Sequence, residues 1–114
     1  MNDRREYPRH RRELKLLYHS KEISNRGITH DICQGGVFVI TSQVLPAKSK
    51  IELEFLGGDG QILMHLQGKI AWVNMGQVMA LPPGFGVTLR NMSEEELSVL
   101  LNAGDDDTLE GKCA

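Results

Sequence analysis

The sequence predicts a mostly β domain whose strands pair antiparallel and which closes with one helix. Three observations carry this. Apolar and polar residues alternate with period two through most of residues 13–90. Turn signals rich in Gly and Pro separate the apolar runs, as in Gly57-Gly58-Asp59-Gly60 and Leu81-Pro82-Pro83-Gly84. No helical pattern long enough for a parallel crossover lies between the runs. Many short strands with regular turns read as a sandwich or a small barrel.

The elements follow in chain order. Residues 13–20, 23–31 and 35–42 read as short strands, and Val37-Phe38-Val39-Ile40, apolar on both faces, belongs in the centre of a sheet. After the turn Leu45-Pro46-Ala47, the run Ile51-Glu52-Leu53-Glu54-Phe55-Leu56 alternates apolar and acidic residues, as a strand with one face on a core should. The glycines that follow supply positive-φ positions for a hairpin loop. Residues 61–74 return as a long strand with Ile62, Met64 and Leu66 on one face, Ile70 and Trp72 continuing that set, and Gly68 marking a bulge or bend. Phe85, Val87 and Leu89 alternate in the last strand. A helix is expected over 93–103. Ser93 and Glu96 form a capping box, Met92 staples onto Leu97, Leu97, Leu100 and Leu101 share a face, and Gly104 stops it.

A chain of 114 residues holds one domain, because two independent cores need roughly 200. Its 40% hydrophobic and 25% charged residues are ordinary for a globular domain. No apolar stretch approaches the ~18 residues that span a bilayer, so no membrane partner is expected. Residues 1–12 lack the apolar core of an export signal, and two cysteines make no disulfide framework, so the expected compartment is a reducing cytoplasm. The net charge of −2 hides an asymmetry. Arg4, Arg5, Arg9, Arg11 and Arg12 outnumber Asp3 and Glu6 at the front, whereas Asp105, Asp106, Asp107 and Glu110 face only Lys112 behind the helix. The organisation read from this is a flexible Arg-rich arm (1–12), a barrel with its helix (13–103) and a disordered acidic tail (104–114).

The chemistry expected is binding. The four histidines have no metal-ligand spacing, no nucleophile or phosphate-loop motif occurs, and Gly84-x-Gly86 stands in the wrong context for a dinucleotide fingerprint. Hence no catalytic residue, no metal and no cofactor is expected. Nucleic acid is disfavoured as a partner by the overall negative charge, despite the arginines. Two patterns stand out: Arg5-x-x-x-Arg9 before the first strand, and Asp31-x-Cys33-x-x-Gly36 at the turn before the central strand. Each alone is weak, since an Asp before a Gly-Gly turn often only satisfies its own backbone.

Together, these motifs resemble the PilZ family, bacterial receptor domains for the second messenger cyclic di-GMP. Gly68-Lys69-Ile70-Ala71-Trp72 and Gly84-Phe85-Gly86-Val87-Thr88-Leu89 resemble that family's later strands, so the resemblance runs in order from residue 4 to about 103. It implies an antiparallel β-barrel of about six strands with a C-terminal helix. It also implies a receptor that relays cyclic di-GMP to an unidentified effector protein, with Arg4, Arg5, Arg9, Asp31, Cys33, Gly36 and Trp72 at the ligand. An Arg fork matches guanine O6 and N7, a pairing worth about 1–3 kcal/mol in DNA readout, and Asp31 accepts from the opposite edge, N1–H and the N2 amine. Gly36 permits close backbone approach, and Trp72 offers a face to a base or is a plain core residue. Arg4, in front of the first motif, implies two intercalated ligand molecules. Cys33 departs from the pattern, which has Ser there, and this departure supports the alternative of an adaptor that no longer binds cyclic di-GMP.

Overall fold

The computed structural model describes residues 9–21, 23–90 and 92–103. Seven strands and one helix follow in order: β1 (His10–Arg11), β2 (Lys15–His19), β3 (Ser24–Cys33), β4 (Gly36–Ile40), β5 (Lys50–Leu56), β6 (Ile62–Asn74), β7 (Gly84–Leu89) and α1 (Glu94–Ala103). Every pairing is antiparallel. The sheet runs β3-β2-β5-β6-β7-β4 and closes through β3–β4, giving a six-stranded barrel with β1 as an extra strand on β3. The sandwich alternative is thereby settled in favour of the barrel.

Period-two alternation builds the interior. Leu16, Tyr18, Ile51, Leu53, Phe55, Ile70, Phe85, Val87 and Leu89 point inward and are buried. The Tyr18 and Phe85 rings meet edge to face at 5.2 Å. Tyr18 carries its polar end into this core with partners: its hydroxyl donates to the Gln43 carbonyl at 2.5 Å and lies 3.0 Å from the Thr41 hydroxyl. Burial raises its pKa above the ordinary value of 10.0, with the Thr41 hydrogen bond acting in the opposite direction.

The helix is capped as expected. Ser93 N–H donates to Glu96 Oε1 at 3.0 Å, and Glu96 N–H donates to Ser93 Oγ at 3.1 Å. Met92, Leu97 and Leu100 join the barrel core. Gln34 fixes the helix entry from the β3–β4 turn: its side chain donates to Met92 O at 2.7 Å, and its carbonyl accepts from Met92 N–H at 2.9 Å.

Four local expectations change. Residues 10–11 pair with β3, so an additional short strand precedes the first one expected. Gly68 stays in a regular ladder, opposite Ile51 and Leu89; the irregularities in β6 fall instead at Leu63, where Phe55 pairs with Met64 but Leu56 with Ile62, and between Ile70 and Trp72. That second inserted residue reverses the side-chain parity, so Trp72 leaves the face of Ile70 and points out of the barrel. Ile62, expected on the inner face, is 55% exposed at the strand end, while Met64 and Leu66 pack against the core.

Candidate functional site

Two bulges build the outer face around the second motif. In β3 the register shifts between Thr29 and Asp31, leaving His30 as the extra residue. Thr29 and Ile32 both face inward, which requires a parity change between them; Asp31 and Cys33 therefore face out. The β6 bulge turns out Trp72 in the same way. Both motif strands thus present a polar or aromatic group where unbroken alternation would bury it.

Thr29 also sets the arm. Its hydroxyl accepts from Leu14 N–H at 2.8 Å and donates to the Arg12 carbonyl, replacing ladder bonds in the gap between β1 and β2. The chain therefore stays on β3, with Arg11 opposite Asp31 and His10 opposite Ile32. Arg9 then sits diagonally from Asp31, a separation that long side chains bridge. Its Nη2 lies 2.8 Å from Asp31 Oδ1, with the Arg9 side chain 54% exposed and that of Asp31 12%. The charges pair, Oδ1 is buried, and among the described residues no N–H meets it in hydrogen-bond geometry. The other oxygen, Oδ2, lies 2.9 Å from His30 Nδ1.

Beside this pair is a cleft of about 160 Å³ lined by Arg9, Cys33, Gly36, Trp72, Gly86 and Thr88, among others. Trp72 forms one wall. It is 40% exposed, with its ring tilted 31° to Phe38 at 5.2 Å, so it is not a core tryptophan. A Cβ on Gly86 would stand 2.3 Å from Trp72 Nε1; the missing side chain lets the indole lie against β7. Phe38 explains the doubly apolar run in β4: Val37 and Val39 fill the core, while Phe38 is buried outside it between Trp72 and the His30 ring, which it meets edge to face at 6.0 Å.

Gly36 also has a packing reason. A Cβ there would meet Val87 O at 2.5 Å, so the residue is required by close packing of β4 on β7. Cys33 is 8% exposed and lines the cleft. The structure therefore gathers Arg9, Cys33, Gly36 and Trp72 around one cleft and ties Asp31 to Arg9. Arg4 and Arg5 lie outside the described residues, as does the tail from residue 104. Among the described residues no cluster of His, Cys, Asp or Glu could hold a metal ion, and no helix is long and apolar enough to cross a membrane.

Sequence reasoning missed His30, Phe38, Gly86 and Thr88. His30 was legible in part, since it adjoins Asp31. Phe38 pairs with Asp31 across the β3–β4 hairpin, whereas Gly86 and Thr88 come from β7, which only long-range pairing brings alongside.

The family model described as the PilZ domain matches residues 3–103. No curated protein sequence matches the chain. Among solved structures, the Bacillus subtilis inhibitor of motility (MotI/DgrA) superimposes with a TM-score of 0.63 at 13% identity over 89% of this chain. The chain spans 49% of that protein, about half its length. The PilZ domain of CeSA from a cellulose-synthesizing bacterium gives a TM-score of 0.56 at 19% identity, covering 84% of this chain and 94% of that one. The motifs, the closed barrel with its helix and the matched span agree: the chain belongs to the PilZ domain family.

Proposed function

We propose that this chain is a receptor that binds cyclic di-GMP on the outer face of the barrel and passes the event to a partner protein. The family is one of binding and adaptor domains, and the proposal assigns no catalytic residue and no cofactor. The observation that carries it is the Arg9–Asp31 ion pair at the cleft, in which the buried Oδ1 is held by charge and, among the described residues, accepts no aligned hydrogen bond. Such an oxygen keeps capacity for an aligned donor. Guanine N1–H and its N2 amine are donors of that kind. Arg9, half exposed, swings from Asp31 to the guanine O6/N7 edge or to a phosphate, so one ion pair is exchanged for two sets of charge-assisted bonds. The exposed Trp72 indole offers a stacking face beside them.

Ligand pockets usually exceed about 300 Å³, so a cleft of about 160 Å³ receives one base or phosphate. The rest of the dinucleotide lies over the barrel, where the motif match assigns Arg4 and Arg5 to it. With Arg4 in place we further propose two intercalated ligands per domain, and Arg4→Leu shifts the count toward one. The buried free thiol of Cys33 fits the cytoplasmic location assigned to this receptor. Cys33 is also the one observation favouring a second reading, an adaptor working by protein contact alone. Titration calorimetry with cyclic di-GMP decides: saturable binding that Asp31→Ala abolishes supports the receptor, and absence of heat from the folded wild type leaves the adaptor.

A further inference from the structure

A second depression lies on the same outer face, outside the motif residues. Its volume is about 660 Å³, and among the described residues Lys21, Lys50, Lys69 and Arg90 line it, with Glu52 as the one carboxylate. Glu52 is engaged elsewhere, 3.2 Å from His65 Nε2. His19, also on the wall, lies 3.0 Å from Glu54. Among the described residues no carboxylate pairs with any of the four cations. The ladder explains their convergence: Lys50 pairs with Lys69, Lys69 with Thr88, Thr88 with Gly36 and Gly36 with Cys33. One row therefore runs across the barrel from the motif cleft to the groove, and Thr88 lines both. Like charges directly opposite on a ladder are destabilising, so the Lys50–Lys69 pair signals a surface kept for an anion.

We propose that this groove is the docking surface for the acidic segment of the same chain, Asp105 to Glu110. The charges are complementary. Four carboxylates in six residues meet four cations in a protein whose overall charge is −2. The tether is comparable in scale to the body it crosses. Arg90 precedes the helix by four residues, and the ten-residue helix rises about 15 Å while packing back on the core. From Ala103, the seven residues to Glu110 reach up to about 25 Å when extended, on a body whose longest extent is 35 Å. Tethering supplies a high effective concentration that a separate acidic partner lacks. A segment seated there lies one ladder position from the motif cleft and raises the negative potential next to it. Any anion entering the cleft is therefore in competition with the segment. The inference rests on the groove alone and does not require that cyclic di-GMP bind.

The test uses the full chain without ligand. A nitroxide is attached to Cys113 in a Cys33→Ser background, and amide intensities are read by NMR. Selective loss of intensity at Lys50, Lys69 and Arg90 is expected. It should be relieved by joint D105N, D106N, D107N and E110Q substitution, and by 1 M salt, where the Debye length falls to about 3 Å. Charge reversal of the groove (Lys50→Glu with Lys69→Glu) should relieve it too, the spectrum itself reporting that the barrel remains folded. Uniform or absent broadening overturns the proposal, as does broadening that survives neutralisation of the four acids. Mixing spin-labelled, unenriched chain with unlabelled, 15N-enriched chain covers the remaining case: broadening between molecules would mean a second copy occupies the groove.

Discussion

Arg9 shows why a motif residue can matter to a ligand and little to the fold. It is half exposed and touches the barrel through Asp31, so its removal costs an ion pair at the edge of solvent. Arg9→Ala should lower stability by less than about 1 kcal/mol while weakening cyclic di-GMP binding at least about tenfold, the worth of one charge-assisted contact. Arg5→Ala should match it in binding. Calorimetry beside urea unfolding measures both, and affinities equal to wild type would remove these arginines from the site. Cys33 is the opposite case, buried at the cleft wall where the family pattern has Ser. A thiol is the weaker hydrogen-bonding group, and one neutral bond is worth about 0.5–1.5 kcal/mol. Cys33→Ser should therefore tighten binding by up to about tenfold. A buried thiol should also react slowly with a disulfide reagent, and no faster once ligand fills the cleft that it lines; fast reaction would instead make Cys33 a redox-active member of the site.

At the scale of elements, the β6–β7 connection depends on one side chain. Asn74 is fully buried. Its amide nitrogen lies 3.2 Å from Val78 O, 3.2 Å from Leu81 O and 3.1 Å from Pro82 O. Its oxygen accepts from Gly76 N–H at 3.3 Å and Val78 N–H at 2.9 Å. The loop it organises holds Met75 and Met79 in solvent, at 71% and 93% exposure. Asn74→Ala removes these side-chain bonds, with Val78 O keeping a partner in Leu81 N–H, and should cost more than about 2 kcal/mol, with loss of hydrogen-exchange protection at the Gly76 and Val78 amides. Unchanged protection would mean the loop holds its shape without Asn74. The bulges at His30 and Ala71 act at the same scale, since each turns one site residue outward by adding a single position to a strand.

For the whole molecule, the core carries a pH dependence through Tyr18. Its folded-state pKa is raised by burial, so the native barrel holds the neutral hydroxyl that donates to Gln43 O. That contribution is complete below the unfolded value of 10.0 and is lost as the pH climbs through the raised folded value. Unfolding free energy should therefore fall above about pH 10. Tyr18→Phe should flatten that fall while costing about 1 kcal/mol at neutral pH. Urea titrations at several alkaline pH values compare the two, and equal slopes would show that other groups govern the alkaline limit.

The strands, the hairpin loops and the capped helix were legible in the sequence because their causes are local. Alternation in residues 51–56, positive φ at Gly60 and the reciprocal bonds of Ser93 and Glu96 each depend on a few neighbouring residues. The motif residues were legible as a pattern, and so was the family. Which face each residue takes was not. Period-two reading assumes constant parity and puts Trp72 on the side of Ile70, because nothing in residues 68–72 announces the extra position; pairing with β7 creates it. The Arg9–Asp31 contact depends on Thr29 holding the arm to β3, and the basic groove draws Lys21, Lys50, Lys69 and Arg90 from separate parts of the chain. Local sequence fixes propensity and period, whereas closure of the barrel decides which distant side chains share a surface, because only long-range pairing sets register and face.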